Sequence, residues 1–186
     1  MPALPATRYT TPAIALHWLL AVAILASMAI GATMSELPGI TPAKLRLYNW
    51  HKWAGITILL LSALRLAWRL THKPPPLPQR IEFAMPRWQL TAYHATHRLM
   101  YLLFFAVPLM GWAYSSMAGF PVVWFGVLPL PDFVPVDKEL AKLVKPVHGW
   151  MAYTLLALVV LHVGAALKHQ FVDRDGLLAR MRPGRG

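Results

Sequence analysis

The chain contains no cysteine and few charged side chains. Of its 186 residues, 13% are charged and 57% are hydrophobic. Without cysteine the protein has no disulfide, no iron–sulfur ligation and no thioether link to a cofactor. Only seven residues are acidic, and all of them lie outside the long apolar runs. This argues against a transporter or a proton-driven reductase, which would need carboxylates buried in the membrane.

Charge is missing from four long stretches of the chain. A membrane-spanning helix needs about 20 predominantly apolar residues, and flanking Lys and Arg side chains can reach the headgroups. We therefore predict an all-α membrane protein, a bundle of four transmembrane helices that forms one domain over residues 1–186 in the lipid bilayer. The predicted spans are residues 12–34, 45–69, 92–116 and 143–169, followed by a basic tail at 170–186.

Prolines predict where these helices begin, bend and end. Pro12 and Pro42 each follow a threonine, and proline is favoured in the first turn of a helix. The proline-rich segment 74–78 closes the second span, and Pro108 is expected to kink the third. Segment 120–133 is expected to be an irregular aromatic loop at the interface. The first apolar run is longer than a signal-peptide core, so we expect it to be a membrane span.

Lysine and arginine counts predict the orientation of the bundle. With the N-terminus inside, twelve of these residues lie inside and six outside, so the positive-inside rule places both termini in the cytoplasm. The inside set is Arg8, Arg65, Arg69, Lys73, Arg80, Arg87, Arg98, Lys168, Arg174, Arg180, Arg182 and Arg185. The outside set is Lys44, Arg46, Lys52, Lys138, Lys142 and Lys145. The net charge of +11 is then an orientation signal, and no nucleic-acid partner is expected.

Histidines lie at two depths within the predicted spans. His148 and His162 are fourteen residues apart, so they share one helix face and are separated by about 21 Å along the axis. His17 lies near the inner end of the first span, and His51 near the outer end of the second. Antiparallel neighbours therefore place His51 level with His148 and His17 level with His162.

Two facing pairs of imidazoles are what two haems would need. Porphyrin iron takes one axial imidazole from each side, and the helices of a bundle core supply facing residues. A single membrane histidine more often hydrogen-bonds a neighbouring helix, but four in two matched layers favour ligation. Zinc fits less well because it needs its ligands at one point. We predict two non-covalent haems, with small residues beside them at Gly55, Gly149, Gly164 and Ala165.

Two further histidines lie at the inner end of the third span. His94 and His97 are three residues apart and share a helix face. His97 is a rival to His162 as the partner of His17. Otherwise the two residues are interfacial or contact a haem propionate.

Three more residues near the inner boundary carry alternative interpretations. Arg65 and Arg69 are either positive-inside anchors or the cations that neutralise haem propionates. His169 lies two turns beyond His162. It is either a solvated helix end or part of a quinone pocket, and Arg69 is the second candidate for a quinone or proton site.

Six short motifs, spread over all four spans, carry a family resemblance. They are Arg-Tyr-x5-Ala-Leu-His-Trp at His17, Asn-Trp-His-Lys-Trp-x-Gly at His51, Leu-Arg-Leu-x2-Arg at Arg65, His-x2-His-Arg-Leu-x-Tyr-Leu-Leu at His97, His-Gly at His148 and Leu-His-x2-Ala-Ala-Leu-x-His at His162. Through them the chain resembles the short, stand-alone bacterial cytochrome b561 proteins. These share a fold with the cytochrome b subunits of nickel hydrogenases and formate dehydrogenases.

The resemblance implies a four-helix cytochrome of the bacterial inner membrane with two b haems stacked in its core. By matching positions, His51 and His148 would ligate the outer haem, and His17 and His162 the inner one. One branch of the family is superoxide oxidase, which implies that electrons pass from periplasmic superoxide to ubiquinone. The outer lysines would attract that anion.

A second function remains open from the sequence. The chain is also interpretable as a cytochrome b anchor subunit, which passes electrons from a docked hydrogenase or dehydrogenase partner to quinone. The short loops argue against a docking surface, whereas the aromatic segment 120–133 would suit one.

Overall fold

Four long helices dominate the computed structural model, which describes residues 8–184. They are Thr11–Glu36 (α1), Pro42–Thr71 (α2), Arg87–Met117 (α4) and Lys138–Lys168 (α5), and a short helix, Gln79–Ala84 (α3), precedes α4. All four are long and apolar enough to cross a membrane. The prediction of an all-α protein with four membrane-crossing helices is confirmed, whereas Arg185 lies outside the described residues.

The helices begin where their prolines and caps predict. The Thr41 hydroxyl accepts a hydrogen bond from the Lys44 amide at 3.2 Å, next to Pro42. Asp137 caps α5 in the same way, accepting from the amides of residues 139 and 140. Helices α1, α2 and α4 run beyond their predicted spans at both ends, and α4 and α5 each start five residues earlier than predicted. Pro108 lies inside α4, and the kink expected there stays a prediction.

The helices do not pack evenly around the bundle. α1 packs against α2, α2 against α4 and α4 against α5, whereas α5 makes few close backbone contacts with α1 and α2. An apolar core including Leu20, Ile58, Phe104 and Leu155 joins all four helices midway. The weak contact between α5 and the α1–α2 pair leaves an apolar cleft beside this core, lined by all four helices.

One end of the bundle, here called the hairpin end, is covered by the α4–α5 connection. Strands Val123–Trp124 (β1) and Leu128–Pro129 (β2) pair antiparallel there. Lys52 and Trp53 of α2 donate to the carbonyls of residues 121 and 123 at 3.0 and 2.6 Å. The connection expected to be irregular therefore contains a small ordered hairpin. Its tip is apolar, and Val127 is 83% exposed.

The opposite end, here called the terminal end, is closed by the C-terminal segment. After α5 the chain forms a π-helical turn, His169–Asp173, and a 3-10 turn, Leu178–Met181. The Trp18 indole donates to the Met181 carbonyl at 2.8 Å, and Arg8 donates to the carbonyls of Arg182 and Gly184. The described part of the predicted tail is thus packed against the start of α1.

Candidate cofactor sites

The bundle brings four histidines together in two pairs at different levels. At the hairpin end, the ring centres of His51 and His148 are 6.0 Å apart. Towards the terminal end, those of His17 and His162 are 6.1 Å apart. These pairs are called the hairpin layer and the terminal layer below. They are the pairs expected from sequence depth, although their ligation of iron stays a prediction.

The separation within each pair matches that of two axial ligands. A metal–imidazole bond of about 2.0 Å, plus about 1.2 Å from that nitrogen to the ring centre, puts two axial rings about 6.4 Å apart. The observed 6.0 and 6.1 Å lie close to this value. A direct hydrogen bond between two imidazoles needs nitrogens about 2.7–3.2 Å apart. No such bond links the members of either pair within residues 8–184, so the pairs fit a shared metal.

The hairpin layer has the hydrogen bonds of a ligand pair. Nδ1 of His51 donates to the Ser27 carbonyl at 3.0 Å, with the Ser27 hydroxyl at 3.3 Å. Nδ1 of His148 donates to the Val107 carbonyl at 3.0 Å. A proton held on Nδ1 leaves the Nε2 lone pair for a metal, which is the usual support of a ligating histidine. These residues therefore fit a b-type haem.

The terminal layer is built differently. Arg65 donates to Nδ1 of His17 at 2.8 Å and to the Tyr101 hydroxyl at 3.0 Å. Arginine only donates hydrogen bonds, so Nδ1 of His17 is the acceptor here. Iron ligation through Nε2 of a neutral His17 requires Arg65 to release this bond. Arg65 thus bonds to residues of α1 and α4 inside the bundle, a placement that its interpretation as a headgroup anchor does not predict.

His97 stands beside the terminal layer. Its ring centre is 5.2 Å from that of His162 and 4.5 Å from that of Tyr93, and its Nδ1 bonds the Tyr93 carbonyl at 2.7 Å. It therefore contacts His162 and does not take its place opposite His17. His94 contacts only the Tyr93 ring among the aromatic pairs of the described chain.

Of the four small residues predicted beside the haems, two line the apolar cleft at the hairpin layer. Gly55 and Gly149 line it, as the sequence predicts for a site that admits a flat macrocycle. A side chain added at Gly164 would meet open space, and this residue is exposed, so Gly164 is not part of the cleft wall. The carbonyls of Ser27 and Val107 were missed by sequence reasoning because a backbone acceptor has no residue-type signature.

His169 belongs to a polar cluster at the terminal end. Its Nδ1 lies 2.6 Å from an Asp175 carboxylate oxygen and 3.2 Å from one of Asp173. Lys168 bonds both oxygens of Asp173 at 2.6 and 2.8 Å. The ring is thereby fixed with Nε2 free of these partners. Arg69, the other candidate, lies over the Tyr101 ring at 5.3 Å.

Lysines surround a shallow cavity at the hairpin end. It measures about 400 Å³ and is lined by Lys138, Lys142 and Lys145 of α5 together with Tyr114 and Phe120. Lys142 also pairs with Glu139 at 2.7 Å, and both side chains are largely exposed. The first turns of α5 thus present positive charge one turn from His148.

Comparisons with known proteins agree with this architecture. A family described as prokaryotic cytochrome b561 matches residues 8–184. "Cytochrome b561 homolog 2" of Escherichia coli (strain K12) is 33% identical over 94% of this chain and 90% of its own length. "Cytochrome b561 homolog 1" of the same organism is 29% identical over 96% and 98%. "Probable superoxide oxidase CybB" of Yersinia pestis is 30% identical over 95% and 96%. The chain belongs to the prokaryotic cytochrome b561 family, whose members are helical membrane proteins of electron transfer that carry b-type haem.

Proposed function

We propose that this protein is a superoxide oxidase with two b haems, which passes electrons from periplasmic superoxide to ubiquinone across the bacterial inner membrane. The bundle acts as one domain, with both termini in the cytoplasm and the hairpin end in the periplasm. The observation that carries the proposal is the presence of two imidazole pairs, at 6.0 and 6.1 Å, at two levels of one bundle. A relative described as a probable superoxide oxidase supports it.

Four histidines would hold the two haems. His51 and His148 would bind iron in the hairpin layer, and His17 and His162 in the terminal layer. When bound, the haems would supply one-electron transfer. Arg65 would release Nδ1 of His17, which could then carry the proton, and would become a contact of a haem propionate. His97, beside His162, would be a second propionate contact.

Superoxide binding needs only attraction of a small anion. Two superoxide ions give up one electron each and leave as dioxygen, so no proton moves at this end. Lys138, Lys142 and Lys145 concentrate the anion at the cavity that they line, and Lys145 precedes His148 by about one helical turn. Focused fields of this kind raise association rates by about 10- to 1,000-fold.

Quinone reduction needs two protons as well as two electrons. His169 is oriented by Asp175 at 2.6 Å and is the proposed proton donor at the terminal end. This arrangement, a carboxylate on one ring nitrogen with the other nitrogen facing the reactant, is typical of acid–base histidines. Arg69 is the proposed hydrogen-bond partner of a quinone oxygen.

Superoxide pulses test the proposed activity. Purified protein is mixed anaerobically with a ubiquinone analogue and pulsed with superoxide, and ubiquinol formation is followed against a protein-free control. We expect protein-dependent reduction whose rate falls as ionic strength rises, because screening weakens attraction over about 10 Å at 0.1 M salt. Absence of quinone reduction above the control would reject the proposal.

Charge variants locate the entry site. The double variant Lys138→Gln, Lys145→Gln should lower the superoxide rate several-fold, up to about 10-fold. Lys73→Gln, Arg87→Gln removes the same charge from exposed positions at the other end. If both double variants slow the reaction equally, the lysine cavity is not the entry site.

One observation favours a second function, the anchor subunit of a hydrogenase or dehydrogenase. The hairpin tip exposes apolar side chains, with Phe125 at 56% and Val127 at 83%. A partner docked there would deliver electrons to the hairpin layer. Co-purification of the native protein with a larger oxidoreductase, together with no response to superoxide, would support this function over the first.

A further inference from the structure

Both histidines of the hairpin layer lie directly against a glycine of a neighbouring helix. A Cβ atom built on Gly31 of α1 would lie 3.1 Å from Cε1 of His51. One built on Gly111 of α4 would lie 2.9 Å from Cε1 of His148. Carbon atoms in contact normally stay about 3.5–4.0 Å apart. Even a methyl group at either position would therefore push the imidazole away.

Each glycine lies four residues after the carbonyl that holds the same histidine. Ser27 precedes Gly31, and Val107 precedes Gly111. In an α-helix, residue i+4 stands above the carbonyl of residue i, and its Cβ tilts back over that turn. A side chain there would cover the carbonyl. Glycine leaves it open to the Nδ1–H group of a histidine from the next helix.

The described helices contain three other glycines, and none of them meets an imidazole. A Cβ on Gly55 would lie at an ordinary 3.9 Å from Pro108, and Gly149 and Gly164 have nothing within 4 Å. Glycine inside a helix costs about 0.5–1 kcal/mol relative to alanine. The same arrangement, a carbonyl that accepts from a histidine and a glycine four residues later in that helix, thus occurs twice, both times in the hairpin layer.

We propose that Gly31 and Gly111 are positioning residues for the two iron ligands of the hairpin layer. They admit each imidazole to a helix carbonyl, which holds the proton on Nδ1 and directs Nε2 into the cleft. The inference rests on the proposed function in one respect, namely that His51 and His148 bind haem.

The terminal layer has no such arrangement. Nδ1 of His17 faces Arg65, and no described glycine contacts His17 or His162. Substitutions at the two glycines should therefore alter one haem and spare the other. This selectivity separates positioning from a general loss of stability, which would affect both layers.

The experiment compares three alanine variants of the full-length, haem-loaded protein. Gly31→Ala and Gly111→Ala each place a methyl group against the imidazole of His51 or His148. Gly164→Ala adds the same methyl group at an exposed position of α5. The readouts are haem per chain, the low-spin electron paramagnetic resonance signals and the midpoint potential of each haem.

The contacts predict a graded result. Gly111→Ala, with the shorter contact, should lose most of the hairpin-layer haem, since disturbed support of a ligand costs about 10- to 100-fold in metal affinity. Gly31→Ala should keep both haems but shift the electron paramagnetic resonance signal and the midpoint potential of the hairpin-layer haem. Gly164→Ala should leave both haems as in the wild type.

Each contrary outcome has a distinct meaning. If Gly31→Ala and Gly111→Ala both retain two haems with the spectra and potentials of Gly164→Ala, the positioning role is refuted. If Gly111→Ala does not fold, the spectra and midpoint potentials of Gly31→Ala alone test the positioning role. A wild-type protein without haem in the hairpin layer would instead refute the proposed function.

Discussion

The surroundings of each histidine decide its chemistry. His51 and His148 donate to backbone carbonyls, so their second nitrogens are available to a metal. His17 accepts from an arginine, and His97 bonds the carbonyl one turn back in its own helix. Four residues of one type, at two levels of the bundle, thus have three different hydrogen-bonding states. The proposed haem ligation by His51 and His148 is supported by the carbonyl partner on each Nδ1 and by the facing ring.

Histidine substitutions test this distinction. His148→Ala should remove the haem of the hairpin layer and spare the other, because only that layer loses a ligand. His97→Ala should retain both haems, since His97 lies beside His162 and not opposite His17. Haem per chain and the absorption of the reduced protein give the count. Loss of a haem in His97→Ala would instead make His97 a ligand.

Sequence reasoning predicted the histidine pairs because depth and helical period depend only on position along the chain. It could not predict the direction of a long side chain. Arg65 turns inward to His17 and Tyr101, where anchoring at the headgroups was the simpler expectation. Packing against another helix decides this, and one sequence does not encode it in a readable pattern.

At the scale of the elements, the two ends of the bundle are closed by segments expected to be irregular. The aromatic connection forms a hairpin tied to α2 through Lys52 and Trp53. The basic C-terminal segment packs against Arg8 and Trp18. Long apolar runs and prolines made the four helices predictable. The two closing segments are held by individual hydrogen bonds to backbone carbonyls, which have no sequence pattern. Their sequences therefore predicted only a loop and a basic tail.

Truncation tests the role of the C-terminal segment. A chain that ends at Asp175 loses the bonds from Arg8 and Trp18 to the carbonyls of residues 181, 182 and 184. Each such bond contributes about 1 kcal/mol, so the melting temperature should fall by about 5–10 °C. Trp18→Phe, which removes one bond, should give a smaller decrease. An unchanged melting temperature in the truncated protein would show that the segment does not stabilise the bundle.

At the scale of the whole molecule, the four helices pack unevenly. α5 carries His148 and His162 but makes few close contacts with α1 and α2, which carry their partners. The space between them is apolar and lined by Gly55 and Gly149. A cofactor that joins α5 to the other helices would complete the core. Composition and span lengths predicted the four crossings, but the position of this cleft required the structure.

Cysteine labelling tests the proposed orientation directly, because the chain has no cysteine of its own. Val127→Cys places a thiol at the hairpin tip, where the native residue is 83% exposed, and Phe83→Cys places one in α3, where the residue is 86% exposed. In intact cells with a permeable outer membrane, an impermeant reagent should label position 127 and not position 83. The reverse pattern would place the hairpin end in the cytoplasm.

The most direct measurement of the central claim is the number and ligation of haems in the purified, correctly folded protein. Haem extraction and electron paramagnetic resonance on protein from haem-supplied cells give both. We expect two non-covalent haems per chain, each low-spin with two axial imidazoles. A folded protein with one haem or none, or with a high-spin iron in either layer, would contradict the assignment of the two histidine pairs.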